Sequence, residues 1–191
     1  MKFLRYLPIF ILSSCGQTEV AKPVANLKWF DLKKFVDSAN VILPKNAPFE
    51  KTLWVKNSSE TRKVTIADWS NELAVFAQAD INRPAWRDKY QVDTFPVAVE
   101  RKAAVEDDTT AMHQIQHIAI DKSLRTRSLS ISMNRKWKPL VIEVLSEQNN
   151  FFSHSQQHLT WDLRSGYSIT AQQKMLLMSA TETTLSGRFL K

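Results

Sequence analysis

All four histidines of the chain fall in two pairs of equal spacing, His113-Gln-Ile-Gln-His117 and His154-Ser-Gln-Gln-His158. On a helix, imidazoles four residues apart share a face and could hold a metal ion. Both pairs lie in segments that alternate as strands do. There the members share a face but stand roughly 13 Å apart, too far to share an ion bound at about 2 Å. A metal would need histidines from neighbouring strands, and no cysteine or carboxylate marks such a site. The imidazoles are therefore expected at polar, solvent-facing strand positions, and no cofactor is expected.

Other chemistries are equally unmarked. The three glycines, Gly16, Gly166 and Gly187, are too scattered for a phosphate-cradling loop or a nucleophile elbow. Glu106-Asp107-Asp108 reads as an exposed loop tip rather than a calcium loop. The aromatic and basic residues are more suggestive. Trp86 and Trp137 fall in connections, and Arg125 and Arg127 are expected to share a strand face with Leu129, Ile131 and Met133. A concave sheet face with an apolar floor and a basic rim could hold an acyl chain or an amphipathic partner. The same face could instead pack on a helix. Trp86, Arg125, Arg127 and Trp137 are the binding candidates.

One residue carries a covalent possibility. Cys15, the single cysteine, stands just after a short apolar stretch close to the first methionine. Lys2 and Arg5 form a positive region, Tyr6 to Leu12 an apolar core, and Ser13-Ser14 a small pair, which is the layout of a secretory signal. Leu12-Ser13-Ser14-Cys15 resembles the lipobox of bacterial lipoproteins. The resemblance implies diacylglyceryl transfer to the Cys15 sulfur and cleavage between Ser14 and Cys15. The newly freed amine would then commonly be acylated. Two or three acyl chains, at about 0.8 kcal/mol per buried CH₂, suffice for stable anchoring. A mature chain starting at Cys15 would contain no disulfide. Gly16 stands where an aspartate would favour inner-membrane retention. The expected location is therefore the outer membrane, with the domain facing the periplasm. The stretch "ELAVFAQADINRPAW" (72–86), with the alternating segments after it, resembles small, uncharacterised lipoproteins of Bacteroidota, which bring no activity with them.

Bulk composition agrees with a folded domain. Apolar residues make up 43% and charged residues 24%, the balance of a globular chain. The net charge of +7 is scattered in basic pairs such as Lys33-Lys34 and Arg62-Lys63, with acids between them. Nucleic acid would require that charge on one face, so no nucleic acid is expected. A solvated surface accounts for the charge, and weak attraction to anionic lipid is the other reading.

The elements that must position these residues divide at Trp86. Residues 1–14 read as a signal peptide, 15–27 as the lipidated cysteine with a flexible tether, and 28–191 as one globular domain. Trp29, Leu32, Phe35, Val36, Ala39, Ile42 and Leu43 predict an amphipathic helix over 28–43, stopped by Pro44. A strand over 51–57 precedes a second helix over 66–81, opened by a capping box at Thr65–Asp68. Beyond Trp86, alternation predicts strands near 90–95, 97–105, 112–121, 124–133, 138–147, 151–163, 167–178 and 183–190. Consecutive hairpins without intervening helices make an antiparallel meander. The expected fold is α+β: two N-terminal helices, then a large antiparallel β-meander whose curved sheet or half-barrel wraps a helix.

The expected function is binding rather than catalysis. A lipid-anchored periplasmic domain would hold an apolar small molecule or an envelope protein. The alternatives are an accessory or structural subunit of an envelope complex, and an envelope hydrolase with an unmarked site.

Overall fold

The computed structural model describes residues 29–86, 88–97 and 111–190. Cys15 with its lipobox, the tether, the acidic run at 106–108 and most of the strand expected over 97–105 lie outside the described residues.

Among the described residues nine strands form one antiparallel sheet in the order β2-β1-β9-β8-β7-β6-β5-β4-β3. They are β1 (Pro48–Val55), β2 (Ser58–Thr65), β3 (Tyr90–Pro96), β4 (His113–Ala119), β5 (Thr126–Met133), β6 (Pro139–Asn149), β7 (Ser153–Asp162), β8 (Gly166–Met175) and β9 (Thr181–Phe189). Among the described residues the sheet is open, with β2 and β3 as its edges. From β4 to β9 consecutive strands pair as hairpins, as the alternation predicts, while β3 pairs directly with β4 and not with the strand expected over 97–105. The last strand then returns to pair with β1, Phe49 opposite Phe189.

The strands alternate because one face is covered. On β6, Leu140, Ile142, Val144 and Ser146 point inward, while Val141, Glu143, Leu145 and Glu147 point outward. Turn chemistry sets the register. Asn134 accepts from the N–H groups of Lys136 and Lys138, both at 2.9 Å, and so closes β5–β6. Asn150 does the same for Phe152 and Ser153 between β6 and β7. Short polar side chains that bond the backbone a few residues onward are what tight turns require.

The helical part is smaller than an α+β class implies, and the fold is mainly β. Each expected helix is two short pieces: α1 (Leu32–Asp37) and α2 (Ala39–Ile42), then α3 (Trp69–Glu72) and α4 (Ala74–Gln78). Ser38 breaks the first, its hydroxyl donating to Phe35 O at 2.7 Å, a local bond that competes with helix continuation. The second begins later than expected. Thr65 ends β2, and Asp68 is the cap, accepting from Ser70 and Asn71 N–H. Asn40 ties the two pairs together, donating to Asp68 and accepting from Trp69 N–H at 2.6 Å.

This helical layer fills the inward face. Leu32, Val36, Trp69, Leu73 and Phe76 from the helices meet Leu129, Ile131, Met133, Ile142 and Trp161 from the strands, all buried. Phe49 centres a second aromatic group, edge-on to Trp69 at 5.2 Å and to Phe189 at 5.1 Å. At about 25 cal/mol per Å² of apolar area, this contact is the main stabilising term of the fold. Among the described residues no helix is long and apolar enough to cross a membrane.

Candidate functional site

The inward side of β5 differs from expectation at its first residues. Leu129, Ile131 and Met133 do form an apolar row, fully buried under the helices. Arg125 and Arg127 do not share it. Thr126 pairs with Ser146 but Ser128 pairs with Leu145, so Arg127 is the extra residue of a β-bulge. A bulge breaks the two-residue period, and Thr126 takes the inward place, its hydroxyl donating to Ala79 O at 3.1 Å. Arg127 lies beside Glu147, with Nε 3.5 Å from Oε2, and donates to Asp121 O. Arg125 is exposed and joins Arg127, Lys122 and Glu147 around a surface hollow. The arginines are thus a polar end of the sheet, not the rim of an apolar trough.

The tryptophan candidates sit elsewhere. Trp86 ends a short 3-10 turn, Pro84–Trp86, and its ring lies 4.4 Å beneath the Arg83 guanidinium. Trp137 occupies the β5–β6 turn with φ of 60° and stacks on His113, centroids 4.1 Å apart and planes 3° from parallel. Both pack against the core edge. Arg127 and Trp137 belong to opposite ends of β5, so the four candidates do not form one site.

The histidines divide by face. His117 is inward and fully buried, contrary to the solvent-facing expectation, with Trp29 at 5.9 Å and Leu129 O at 3.4 Å from Nδ1. It faces inward because His117 opposes Leu129, a member of the buried row. His113 is partly covered by Trp137, while His154 and His158 reach the outward surface. Among the described residues no group of three or more histidine, cysteine or carboxylate side chains could hold a metal ion.

Two buried polar clusters cross the inner layer. Glu72 of α3 accepts from the Tyr167 hydroxyl and pairs with Lys51 at 2.6 Å. Burial, and then the bond to Glu72 and its charge, push the Tyr167 phenol well above its ordinary range. Tyr90 donates to Thr126 O at 2.8 Å, and burial pushes its phenol up to about 12. Both phenols therefore stay protonated donors. Nearby, Asp121 is held down to about 2 by the hydroxyl and N–H of Ser123, with Lys89 adding to the effect. These groups fasten elements together, and none faces a space where a substrate could sit.

The open surface is the outward face, which the sequence does not single out as a site. Across it runs an unbroken polar row: Ser130, Glu143, Thr160, Ser168, Ser186, Thr52 and Thr61, each opposite the next. The adjacent row holds Ser128, Leu145, His158, Thr170, Thr184 and Trp54. Between the rows over β5–β8 lies a groove of about 440 Å³, where Glu143, Gln156, His158, Thr170 and Gln172 stand around Leu145. The alternating hydroxyls of Ser128, Ser130 and Ser132 are its signal in the sequence, but only strand order assembles the groove. Its carboxylate, amides and imidazole can donate and accept hydrogen bonds. No family model, curated protein or solved structure matches the chain.

Proposed function

We propose that the protein is a lipid-anchored lipoprotein of the outer membrane, held at Cys15 and facing the periplasm. Its domain binds a partner protein on the outward face of the sheet, as an accessory subunit of an envelope assembly, without catalysis. The sheet is a half-barrel curved around the helical layer, so its working surface is the side the helices leave uncovered. One observation carries this reading: the inward face is filled, with Leu129, Ile131 and Met133 fully buried. The small hollow between α4 and β6–β7, beside Val75 and Leu159, measures about 10 Å³, less than a single acyl carbon chain requires. The edges also favour the face. β2 presents Glu60, Arg62 and Lys63, and β3 ends in Pro96, residues that discourage pairing with an added strand.

Metabolic labelling with a palmitate analogue tests the anchor. Label on the wild type and none on Cys15→Ala is expected, and equal labelling would overturn it. Native mass spectrometry of the Cys15→Ala protein purified from its host tests the filled interior. Protein without co-purified lipid is expected, whereas stoichiometric non-covalent lipid would overturn binding on the outward face in favour of an internal apolar ligand.

A further inference from the structure

One end of the sheet carries large apolar side chains in the solvent. β5 last pairs β6 at Thr126–Ser146, and β1 last pairs β9 at Val55–Thr183. Beyond those points β6–β8 continue for three more residues, Gln148–Ser155–Gln173 and then Asn149–His154–Lys174 among them. At about 3.4 Å per residue, these strands run roughly 10 Å past the last paired residues of β5 and β1, with Lys122–Arg125 of the β4–β5 connection flanking Gln148 and Asn149 on one side. The shaft is polar on both faces, and the apolar residues lie in its two turns and at Met175, the last residue of β8. Phe151 is 84% exposed and Leu177 99%, with Phe152, Leu176 and Met178 also exposed. The two turns form one unit: Leu176 N–H donates to Phe152 O at 2.8 Å.

We propose that these twin hairpin tips enter the interfacial region of a lipid bilayer. Three features single out lipid as the occupant. First, the polarity is ordered along the axis of the projection. Gln148 to Ser153 and Met175 to Thr181 contain no charged residue, while Lys174 stands just behind, opposite His154. Lys174 makes no ion pair among the described residues, which leaves it for lipid phosphate. Second, part of the backbone of the tips is already hydrogen-bonded internally. Asn150 Oδ1 takes the N–H groups of Phe152 and Ser153, and Met178 N–H reaches Met175 O at 3.1 Å. Those bonds lower the cost of entering lipid, and the interfacial region, unlike the hydrocarbon core, keeps water for the groups that remain. Third, Leu177 holds φ of 64° at the apex, a region that a bulky side chain occupies at a cost. Its exposed side chain recovers nothing among the described residues to offset that cost. Penetration of about 5–10 Å into the headgroup and acyl boundary is the depth such apolar faces reach, and the exposed side chains of the two turns are the ones that would enter. The contact is separate from the acyl anchor proposed above, and it would stand the sheet on end with its outward face clear of the membrane.

The test removes the anchor and reports from the tip itself. Full-length Cys15→Ser carrying Leu177→Cys is labelled with an environment-sensitive fluorophore and mixed with vesicles of phosphatidylethanolamine and a minority of phosphatidylglycerol. The label should shift to the blue and be quenched by lipids spin-labelled near the headgroup end of the acyl chain. The same label at Arg164→Cys, in the β7–β8 turn at the other end of the sheet, should remain quenched by aqueous iodide. In unlabelled Cys15→Ser protein, Phe151→Asp with Leu177→Asp should weaken vesicle binding roughly tenfold or more, since two large apolar side chains are withdrawn. Unchanged circular dichroism would show that this variant still folds. A tip label that stays in water when the protein is vesicle-bound would overturn the proposal. So would a photocrosslinker at Leu177 that captures a protein in place of lipid in the native host.

Discussion

Tyr90 donates its hydroxyl hydrogen to the carbonyl of Thr126 at 2.8 Å, across the interval from the edge strand β3 to β5. That bond holds the first residue of the bulge inward, and with Thr126 bound to Ala79 O it explains where the arginines go. Two buried polar groups fix one backbone position, and the side chain next along the strand must leave the inner face.

Tyr90→Phe should lower stability at neutral pH by about 1–2 kcal/mol, the cost of leaving a buried carbonyl without its donor. The variant should also change the alkaline limb. Tyr90 titrates at about 12 in the folded chain and near 10 when unfolded. Above pH 10 the unfolded chain gives up this proton while the folded chain keeps it, so stability falls as pH rises. The contribution is complete below about pH 10 and is lost progressively to about pH 12, roughly 3 kcal/mol in all. Tyr167 acts with the same sign, so urea denaturation of Tyr90→Phe should show a shallower decline rather than none.

Glu72 should be the strongest single tie between the helices and the β1–β8 part of the sheet. It receives both the Tyr167 hydroxyl and Lys51. Replacing it by alanine strands a half-buried ammonium and an inward phenol, a loss of about 2–4 kcal/mol. Glu72→Gln keeps an acceptor for the phenol and should lose less. Tyr167→Phe in each background gives a double-mutant cycle. A coupling of about 1 kcal/mol or more with Glu72 is expected, read from denaturant midpoints.

Gly187 should not tolerate even alanine. It lies opposite Tyr167 on β9. A Cβ there would overlap the Phe49 ring, with Cζ at 2.8 Å, and would approach Tyr167 Cε1 at 2.9 Å. Overpacking of this kind costs typically about 1–3 kcal/mol. Because the obstruction is a side chain, Phe49→Leu should recover part of the loss in Gly187→Ala, although it is destabilising alone. Thermal melts of the two single variants and the double variant test this sign reversal.

The meander from β3 to β9 is legible in the sequence because one face of each strand is buried. Leu129, Ile131 and Met133 alternate with serines, and Leu140, Ile142 and Val144 alternate with outward residues. Other features are not legible, each for a physical reason. Residues Ser58–Thr65 carry one large apolar side chain, Val64. They form a strand because β1 offers a paired edge, not because a face must be buried. The bulge at Arg127 leaves no mark in the sequence, since the groups bound to Thr126 beside it, Tyr90 and the Ala79 carbonyl, are distant along the chain. Strand β8 ends at Met175 because its partner β7 starts at Ser153. Leu177, which continues the apolar alternation of that strand in the sequence, is instead the exposed apex. The groove around Leu145 draws residues from four strands, and only their register brings Glu143, His158 and Gln172 together.

Crosslinking in the living host decides whether the outward face is the working surface. A photoreactive residue at Thr170, in the outward groove, should yield one discrete protein adduct. The same residue at Arg164, in the exposed β7–β8 turn, should yield none. Glu143→Arg should abolish the Thr170 adduct by reversing the charge beside it, while leaving the protein folded and at the membrane. An absence of any adduct from Thr170, or an equal one from Arg164, would contradict partner binding on that face.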